Sequence, residues 1–540
     1  MPAFLPAVAV LLPFAGAVIS YFMRKRLAAF KKPFVISITA LTSAFVWLCV
    51  FFSRGSDVTL FYFTDTLRVG LCPDGIGLFF AALASVMWIF TVIYAFEYMK
   101  GKEHLNMFFA FFTAAYGATL GIAMSADLLT MYFFYEILTL VTLPLVIQPM
   151  TKKAIRAGRK YLYMSLGGSA FAFIGLVILI HQTGQAEFVP GGIYDNALDT
   201  TGLVAYLLTF LGFGVKSAVF PLHIWLPAAS VAPTPVTALL HAVAVVKSGV
   251  FAIIRVTYYC YGVEAIRGTW AQYTALIIAI ITIVYGSAMA LRERHFKRRL
   301  AYSTVSNISY IVFGAMLLSE AGLAAALMHF LFHSVTKIAA FMNAGAVIEK
   351  IGRRRGVLEK MEGSDRVRLE FLVPSRGLFG YRSEFMTDTR GEGIMSAVFE
   401  KYEPFRGDIP HRSVGALIVY ETGETTQYGL FYTQERGTLF VGSQVPVYAG
   451  MICGANSRPG DIVCNVCRKK HVTNTRNAAS AEDSLRLVSV HPLTLEECLE
   501  FIDDDELLEI TPKSLRMRKR VLETELRKKL AAKKRAEANS

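Results

Sequence analysis

Ionisable side chains recur inside the long apolar runs of this 540-residue sequence, and that is where chemistry is expected. Glu136 lies within "LLTMYFFYEILTLVTLPLVI" and Lys216 within "LLTFLGFGVKSAVF". His241 and Lys247 share "ALLHAVAVVKSGVFAII". His329, His333 and Lys337 share "MHFLFHSVTKIAAF" at i, i+4 and i+8, which stacks them on one helix face. A charge at the centre of a bilayer costs about 2.5–3.5 kcal/mol on insertion scales, so repeated placement points to use. A carboxylate and nearby lysines can trade charge when burial and neighbours shift their proton affinities. An imidazole can pass a proton between its two nitrogens. The chemistry this predicts is a lateral proton relay. Plainer readings compete with it. Lys216 or Lys247 could snorkel to an interface, and His241 could be a hydrogen-bonded packing residue. The i, i+4 histidines could share zinc, but that face supplies no acidic or thiolate third ligand, so no metal is expected.

The elements that must position these residues are apolar runs near 20 residues long, each able to cross a bilayer as a helix. About eleven qualify, near 3–23, 33–52, 76–98, 105–124, 127–148, 160–181, 203–222, 234–258, 271–291, 302–318 and 322–346. Prolines 221, 227, 233 and 235 break the helices of "PLHIWLPAASVAPTPVTALLH". Broken helices at membrane depth commonly line ion sites. No cleavable leader is evident, because the first apolar run lacks a basic start and reads as a retained span.

The composition, 54% hydrophobic and 18% charged, averages two unlike parts. Apolar runs dominate to about residue 345, and mixed soluble sequence follows from about residue 350. The net charge of +14 is therefore not one basic face. Much of it sits in the loops "MRKRLAAFKK", "MKGKEH", "TKKAIRAGRK", "RERHFKRR" and "EKIGRRRG", all on one side by span counting. The excess of Lys and Arg predicts that side to be cytoplasmic, with the N-terminus outside and everything after Ile351 in the cytoplasm. Seven scattered cysteines give no disulfide framework.

Four stretches carry a resemblance: "DLLTMYFFYEILTLVTLPLVIQ", "FGVKSAVFPLHIWLPAASVAPTPVTALLHAVAVVKSGVFAIIR", "HFKRRLAYSTVSNISYI" and "HFLFHSVTKIAAFMNAGAVI". Together, over about residues 1–348, they resemble the proton-conducting antiporter-like family. This comprises the D-type subunits of Mrp cation/proton antiporters and the pump subunits of respiratory complex I and membrane-bound hydrogenases. The resemblance implies that Glu136 is the family's buried glutamate and Lys216 its central lysine on a broken helix. It implies that Lys247, His329, His333 and Lys337 form the polar axis between half-channels. It implies no redox centre or cofactor in the chain, and other membrane subunits as partners. The family has two inverted repeats. The first would span about 105–258. The second, beginning near 271, would keep only about three of its five spans.

After Arg355 the sequence reads as an α/β or β-rich soluble unit. "RVRLEFLVP" and "VGALIVYETG" have strand-like content, and "ETTQYGLFYTQERGTLFVG" fits short strands with a turn. "TLEECLEFIDDDELLEIT" predicts a helix and a short strand, and "PKSLRMRKRVLETELRKKLAAKKRAEA" a terminal basic helix. No GxxxxGK[ST] loop occurs, so nucleotide hydrolysis has no visible site. The single CxxC of Cys464 and Cys467 lacks a second pair. Basic patches around "CRKKHVTNTRNA" suit phosphate backbones, or else a solvated charge-laced surface.

This second part carries its own resemblance. "GAVIEKIGRRRGVLEKMEGSDRVRLEFLVPSRGLFGYRSEFMTDTRGEGIMSAVFEKYEPFRG" resembles the domain shared by elongation factor G and the BipA/TypA ribosome-associated GTPases. "RGTLFVG", "CNVCRKKHVTNTR" and "LEFIDDDELLEITPKSLRMRKR" resemble BipA/TypA in particular. This implies ribosomal RNA contact near Lys469, Lys470, His471, Asn474, Thr475 and Arg476. The GTPase domain, the barrel domain and the first strand of the shared domain are absent.

The expected architecture is thus an all-α polytopic membrane bundle with a truncated inverted repeat, then a cytoplasmic α/β and β-rich region. The expected domains are 1–348, a partial α/β domain at 345–405, and 406–540. The missing strand leaves unpaired backbone in 350–405, which should be strained or mobile. Three functions follow: proton or cation translocation in the membrane of a bacterium, a membrane-tethered ribosome-binding module, or a fusion or misassembly product with neither activity intact.

Overall fold

The computed structural model describes residues 4–23, 28–62, 64, 68–100, 102, 104–194, 198–293, 295–362, 368–378, 380–405, 407, 414–469, 487, 490–527, 529 and 530. The chain divides into two compact units, residues 1–349 with 359–370, and residues 350–358 with 371–540.

The first unit is built of apolar helices: α1 (Leu5–Phe22), α2 (Ala28–Phe52), α3 (Gly75–Tyr98), α4 (Leu105–Ala123), α5 (Leu128–Ile147) and α6 (Lys152–Thr183). Then come α7 (Thr200–Gly214), α8 (Trp225–Ala229), α9 (Thr234–Ala242), α10 (Val245–Arg255), α11 (Val263–Ile266), α12 (Trp270–Arg292), α13 (Phe296–Met316) and α14 (Glu320–Arg353). Side-chain caps start several of them. Asp74, Asp127, Thr151, Asp199 and Thr269 each accept a hydrogen bond from a backbone amide of the first turn, which satisfies one of its orphan donors. Each of the eleven predicted runs holds a helical segment. By length and composition, nine stretches among the described residues could cross a membrane. These are α1, most of α2, α3 to α6, the stretch Thr234–Tyr261, α12 and α14. α7 is shorter, at 15 residues.

Two of the runs are not continuous helices. After α7 the chain turns through residues 215–224 before α8, as the prolines predict. The other run, 234–258, reads in sequence as one span but is interrupted between α9 and α10. Val243 leaves helical geometry there, and the amides of Val243 and Ala244 both bond back to the Leu239 carbonyl. No proline causes this break. β-Branched Val243, Val245 and Val246 supply weak helix propensity instead. A π-helical turn, Val256–Tyr261, follows α10 directly.

One end of the bundle is stitched by backbone. Strands β1 (Val58–Tyr62) and β2 (Arg68–Leu71) pair antiparallel with a bulge between Thr59 and Phe61. The ribbon continues through Cys72 N to Met124 O, Leu128 N to Ala186 O, Val189 N to Tyr259 O and Ile193 N to Cys260 O, all within 3.0 Å. The core beneath is aromatic: Trp88 stacks on Tyr116 with ring centres 4.8 Å apart, and Trp225 packs on Tyr161 at 5.0 Å.

Strands β3 (Val357–Glu362) and β4 (Arg368–Leu372) pair with each other. The short helices α15 (Ser375–Leu378) and α16 (Tyr381–Asp388) follow. Residues 392–405 then form neither helix nor strand, and expose Ile394, Val398, Phe399, Tyr402 and Phe405.

The rest of the second unit centres on β5 (Ala416–Val419), whose residues are all buried. It includes β6 (Gly423–Glu424), α17 (Gln427–Gln434), β7 (Gly437–Leu439), β8 (Pro446–Val447), β9 (Ile452–Asn456) and β10 (Ile462–Cys464). The main sheet has the order β10-β5-β9-β7, with β10 parallel to β5 and the other pairs antiparallel. Leu417 and Val419 pack on one face with Leu430 and Val466, whereas Ala416 and Ile418 pack on the other with Cys498 and Met517. This alternation is the pleat of a sheet covered on both sides. α18 (Leu495–Phe501), β11 (Glu506–Ile510) and β12 (Leu515–Lys519) complete the unit, the two strands pairing from Glu506–Lys519 to Ile510–Leu515.

Two sequence expectations are corrected here. "QYGLFYTQ", read as strand, is helix α17. The Thr426 hydroxyl caps it and Leu430 is buried beneath it, so capping and packing override the aromatic strand propensity. "LRMRK", read as the start of a basic helix, is strand β12. Met517 and Lys519 alternate inward, and β11 satisfies the backbone. The last predicted helical residues, 531–538, lie outside the described residues.

Candidate functional site

The predicted relay residues sit on α5, beside the two helix interruptions and on α14. Glu136 stands on α5, and Lys216 lies two residues beyond α7 where the chain turns. The Lys216 ammonium donates to the Tyr135 carbonyl and lies 3.3 Å from the centre of the Tyr135 ring. Lys216 is fully buried, and it and Glu136 interact electrostatically. The Ser169 hydroxyl of α6 stands near the Glu136 carboxylate but donates to the Leu166 carbonyl at 2.9 Å, and Glu136 Oε1 is buried without a partner.

Lys247 repeats the device on the far side of the α9–α10 break. It is fully buried, donates to the Phe330 carbonyl at 2.9 Å, and lies 4.3 Å from the centre of the Phe330 ring. Each lysine is therefore held by the carbonyl and the ring of a single aromatic residue. A carbonyl oxygen takes one of three ammonium hydrogens, and the ring face takes charge by cation–π attraction. Both contacts stabilise the cation, and Lys216 has in addition the Glu136 carboxylate within electrostatic reach.

α14 brings His329, His333 and Lys337 onto one side, as their spacing predicts. The rings of His329 and His333 are 6.1 Å apart. Lys337 donates to the Ser303 hydroxyl of α13 at 2.7 Å. His241 stacks on Phe341 with ring centres 4.7 Å apart. Both nitrogens of His241 and of His333 are buried without hydrogen-bond partners. His333 is within electrostatic reach of Lys247, Lys337, His329 and His241. The residues thus fall into two groups, Glu136 with Lys216, and Lys247 with His241, His329, His333 and Lys337. Gly249 joins the groups. A Cβ there would lie 2.5 Å from the Ser217 amide nitrogen and 2.9 Å from the Lys216 carbonyl carbon, so α10 packs directly on the Lys216 backbone.

Sequence reasoning missed three neighbouring charged residues. Lys297, at the start of α13, donates to the Ala232 carbonyl at 3.3 Å and interacts electrostatically with His241. Arg255 ends α10 with its side chain 1% exposed and pairs with Asp74, the cap of α3. Its position eight residues after Lys247 puts both on one helix face, which is the signal that could have found it.

In the second unit, Lys469 is exposed just beyond β10. Lys470, His471, Asn474, Thr475 and Arg476 lie outside the described residues. The segment leading to Lys469 is anchored by the Thr426 hydroxyl, which donates to the Arg468 carbonyl at 2.6 Å. The Arg468 guanidinium lies 5.9 Å from the Tyr428 ring, which packs on Tyr432 with centres 5.0 Å apart. These tyrosines were hidden by the strand reading of α17. Lys519 is nearly buried among Asp461, Asp505 and Glu506, at 2.6, 2.9 and 2.9 Å. Burial alone would lower its proton affinity, but hydrogen bonds to Asp461, Glu506 and Asp505 outweigh that and push its pKa up to about 12.

Comparison with known proteins divides the chain in the same way. Residues 125–363 match the family described as NADH:quinone oxidoreductase/Mrp antiporter, transmembrane. Residues 333–413 match the elongation factor G C-terminus, and 414–524 the TypA/BipA C-terminal domain. The chain is similar to the large ribosomal subunit assembly factor BipA of Synechocystis, 44% identical over 177 residues, covering 32% of this chain and 30% of that protein. BipA of Escherichia coli K12 is 43% identical over 194 residues, covering 35% and 32%. The chain thus spans about a third of the length of these curated relatives. Its fold is similar to a chain of the membrane-bound sulfane sulfur reductase, an archaeal respiratory membrane complex. That match has TM-score 0.56 and 23% identity, covering 64% of this chain and 72% of the other. A chain of the Mrp complex from a Dietzia species gives TM-score 0.57 and 22% identity, covering 64% and 38%. The chain therefore joins an antiporter-like membrane fold to a β-containing region resembling the C-terminal domains of BipA and elongation factor G.

Proposed function

We propose that residues 1–348 act as a proton- or cation-translocating subunit within a larger membrane assembly of the antiporter, complex I or hydrogenase type. Glu136 and Lys216 exchange charge at one interruption, and Lys247, His241, His329, His333 and Lys337 carry it onward. The carrying observation is the shared setting of Lys216 and Lys247. Both are fully buried, both sit beside helix interruptions, and both are held by the carbonyl and the ring of one aromatic residue. Such a cage solvates the Lys247 ammonium without a buried carboxylate, and at Lys216 the nearby Glu136 can take up the proton that the lysine gives up, so neither lysine orphans a charge on becoming neutral. The membrane is a bacterial inner membrane, with the N-terminus outside and residues after Ile351 cytoplasmic, as the basic loops indicate. α12 to α14 represent the second repeat, and the soluble domains run over 345–405 and 406–540.

The test is ion flux in membrane vesicles carrying the full chain with its partner subunits. Glu136→Gln and Lys216→Met should each reduce flux at least ~100-fold, the scale on which a positioned proton-transfer group contributes. Unchanged flux in both would overturn this reading.

Two observations favour further readings of the whole chain. The identity to BipA over the last third supports ribosome contact through Lys469 and the basic residues that follow it in sequence. Salt-sensitive co-sedimentation with ribosomes is expected, and no binding at low salt would end that reading. The two family matches overlap at residues 333–363, which supports a join of two genes, or of two sequences, with neither activity intact. The tryptic peptide Ile338–Lys350 from native membranes distinguishes a real fusion from two separate products.

A further inference from the structure

α6 is 32 residues long, about 48 Å at 1.5 Å per residue, whereas about 20 residues cross the hydrocarbon core. Its excess length lies at the N-terminal end, where Lys152, Lys153, Arg156, Arg159 and Lys160 are all exposed. No carboxylate is nearby in sequence, since no Asp or Glu occurs between Glu136 and Glu187. None of these five cations has an ion pair among the described residues. Three cations elsewhere in the unit do have partners: Lys31 bonds Asn106, Lys297 bonds Ala232, and Arg298 pairs with Glu293.

Three of the five sit directly above a lipid-facing stripe, and Lys153 and Lys160 flank them on the neighbouring face. Lys152, Arg156, Arg159, Tyr163 and Leu166 follow one another at helical spacing on one face. Tyr163 is 69% exposed and Leu166 44%, and the same face continues through exposed Ile174 and Val177. Arg159 stands one turn, about 5 Å, above Tyr163. An exposed tyrosine beneath a cationic turn marks the boundary between headgroups and acyl chains. A soluble anion would need only the charges. This face adds an apolar stripe aligned beneath them, which complements a phosphate group carrying two acyl chains.

We propose that the N-terminal turns of α6 form a docking site for the headgroup of an anionic phospholipid, whose chains lie along Tyr163, Leu166 and Ile174. The site rests on the membrane location of the helices and not on ion translocation. It selects lipid by charge, so it prefers phosphatidylglycerol to phosphatidylcholine.

Native mass spectrometry of the full chain, released from nanodiscs of phosphatidylcholine with a minority of phosphatidylglycerol, tests this. The wild-type chain should retain phosphatidylglycerol preferentially. Lys152→Gln with Arg156→Gln, and separately Arg159→Gln with Lys160→Gln, should each lower that preference at least about fivefold, given the strength of one cation near an anionic surface. A charge-matched control, Lys513→Gln with Arg520→Gln in the second unit, should leave it unchanged. Equal retention in both α6 variants, or an equal drop in the control, would overturn the proposal. Displacement by inorganic phosphate beyond that caused by sodium chloride of the same ionic strength would reassign the cations to a soluble anion, and also overturn it.

Discussion

Arg255 and Asp74, 181 residues apart in sequence, meet in a bidentate ion pair at the top of α10. The Arg255 Nη1 to Asp74 Oδ2 distance is 2.6 Å. The guanidinium also lies within 5.1 Å of the ring centres of Phe188, Phe251 and Tyr259. The pair fixes the end of the helix whose other end carries Lys247. Gly77 is required by the same approach, since a Cβ there would fall 2.2 Å from the Ala123 carbonyl oxygen and 3.0 Å from Arg255.

Removing Arg255 strands a partly buried carboxylate. Arg255→Ala should destabilise the chain by about 3 kcal/mol, the low end for a broken buried pair, because Asp74 remains 29% exposed. Asp74→Asn keeps the cap on the Gly77 amide but leaves the Arg255 guanidinium, only 1% exposed, without its counter-charge, so it should destabilise by a comparable amount. Thermal unfolding in detergent measures both. Equal midpoints for Arg255→Ala and the parent would show that the pair contributes nothing.

Gly249→Ala places a methyl group against backbone rather than a flexible side chain. The expected cost is about 1–3 kcal/mol from overpacking. Flux should fall at the same time, because the atoms displaced belong to Lys216. Normal flux at reduced stability would mean that the Lys216 backbone can shift without consequence.

Hydropathy made the helices legible, and Glu136 and Lys216 stood out because a charge in an apolar run is conspicuous. The break between α9 and α10 was not legible, since Val243 and Ala244 are ordinary apolar residues and the interruption is a matter of packing. The partners of Arg255 and Lys297 are distant in sequence, so no local pattern points to them. In the second unit, residue type misled at α17, where aromatic residues suggest strand and a Thr426 cap decides for helix. At β12 the cationic run looks helical until Glu506 and Asp505 are placed beside Lys519.

Lys519 carries a proton affinity raised above the ordinary lysine value of 10.5. Its contribution to stability is therefore complete below about pH 10.5 and is lost as pH rises through about 12. Near pH 10 its neutral fraction should be about twentyfold below that of an ordinary lysine. Acetylation of the full chain, read by peptide mass spectrometry, should leave Lys519 among the slowest lysines to react. Ordinary labelling would contradict the carboxylate cage.

Residues 392–405 should be the first site of cleavage by chymotrypsin in the second unit. Val398 is 91% and Tyr402 93% exposed, and no helix or strand holds the segment. Cuts after Phe399 and Tyr402 are expected before any cut within β5 or β9, where the backbone is paired. Early loss of β9 would reverse that order.

The backbone stitching at one end of the helical unit has a mechanical consequence. Met124, Ala186, Tyr259 and Cys260 tie the ends of α4, α6 and α10 to their neighbours by main-chain bonds. At the opposite end the corresponding links are side-chain bonds, such as Asn106 to the Met23 carbonyl and Lys297 to the Ala232 carbonyl. Main-chain bonds do not change rotamer, whereas side chains do. A rearrangement is then expected to pivot about the stitched end, with displacement growing along helices such as α4, whose 19 residues are about 28 Å long. A small tilt at the ribbon becomes the largest opening beside the basic loops.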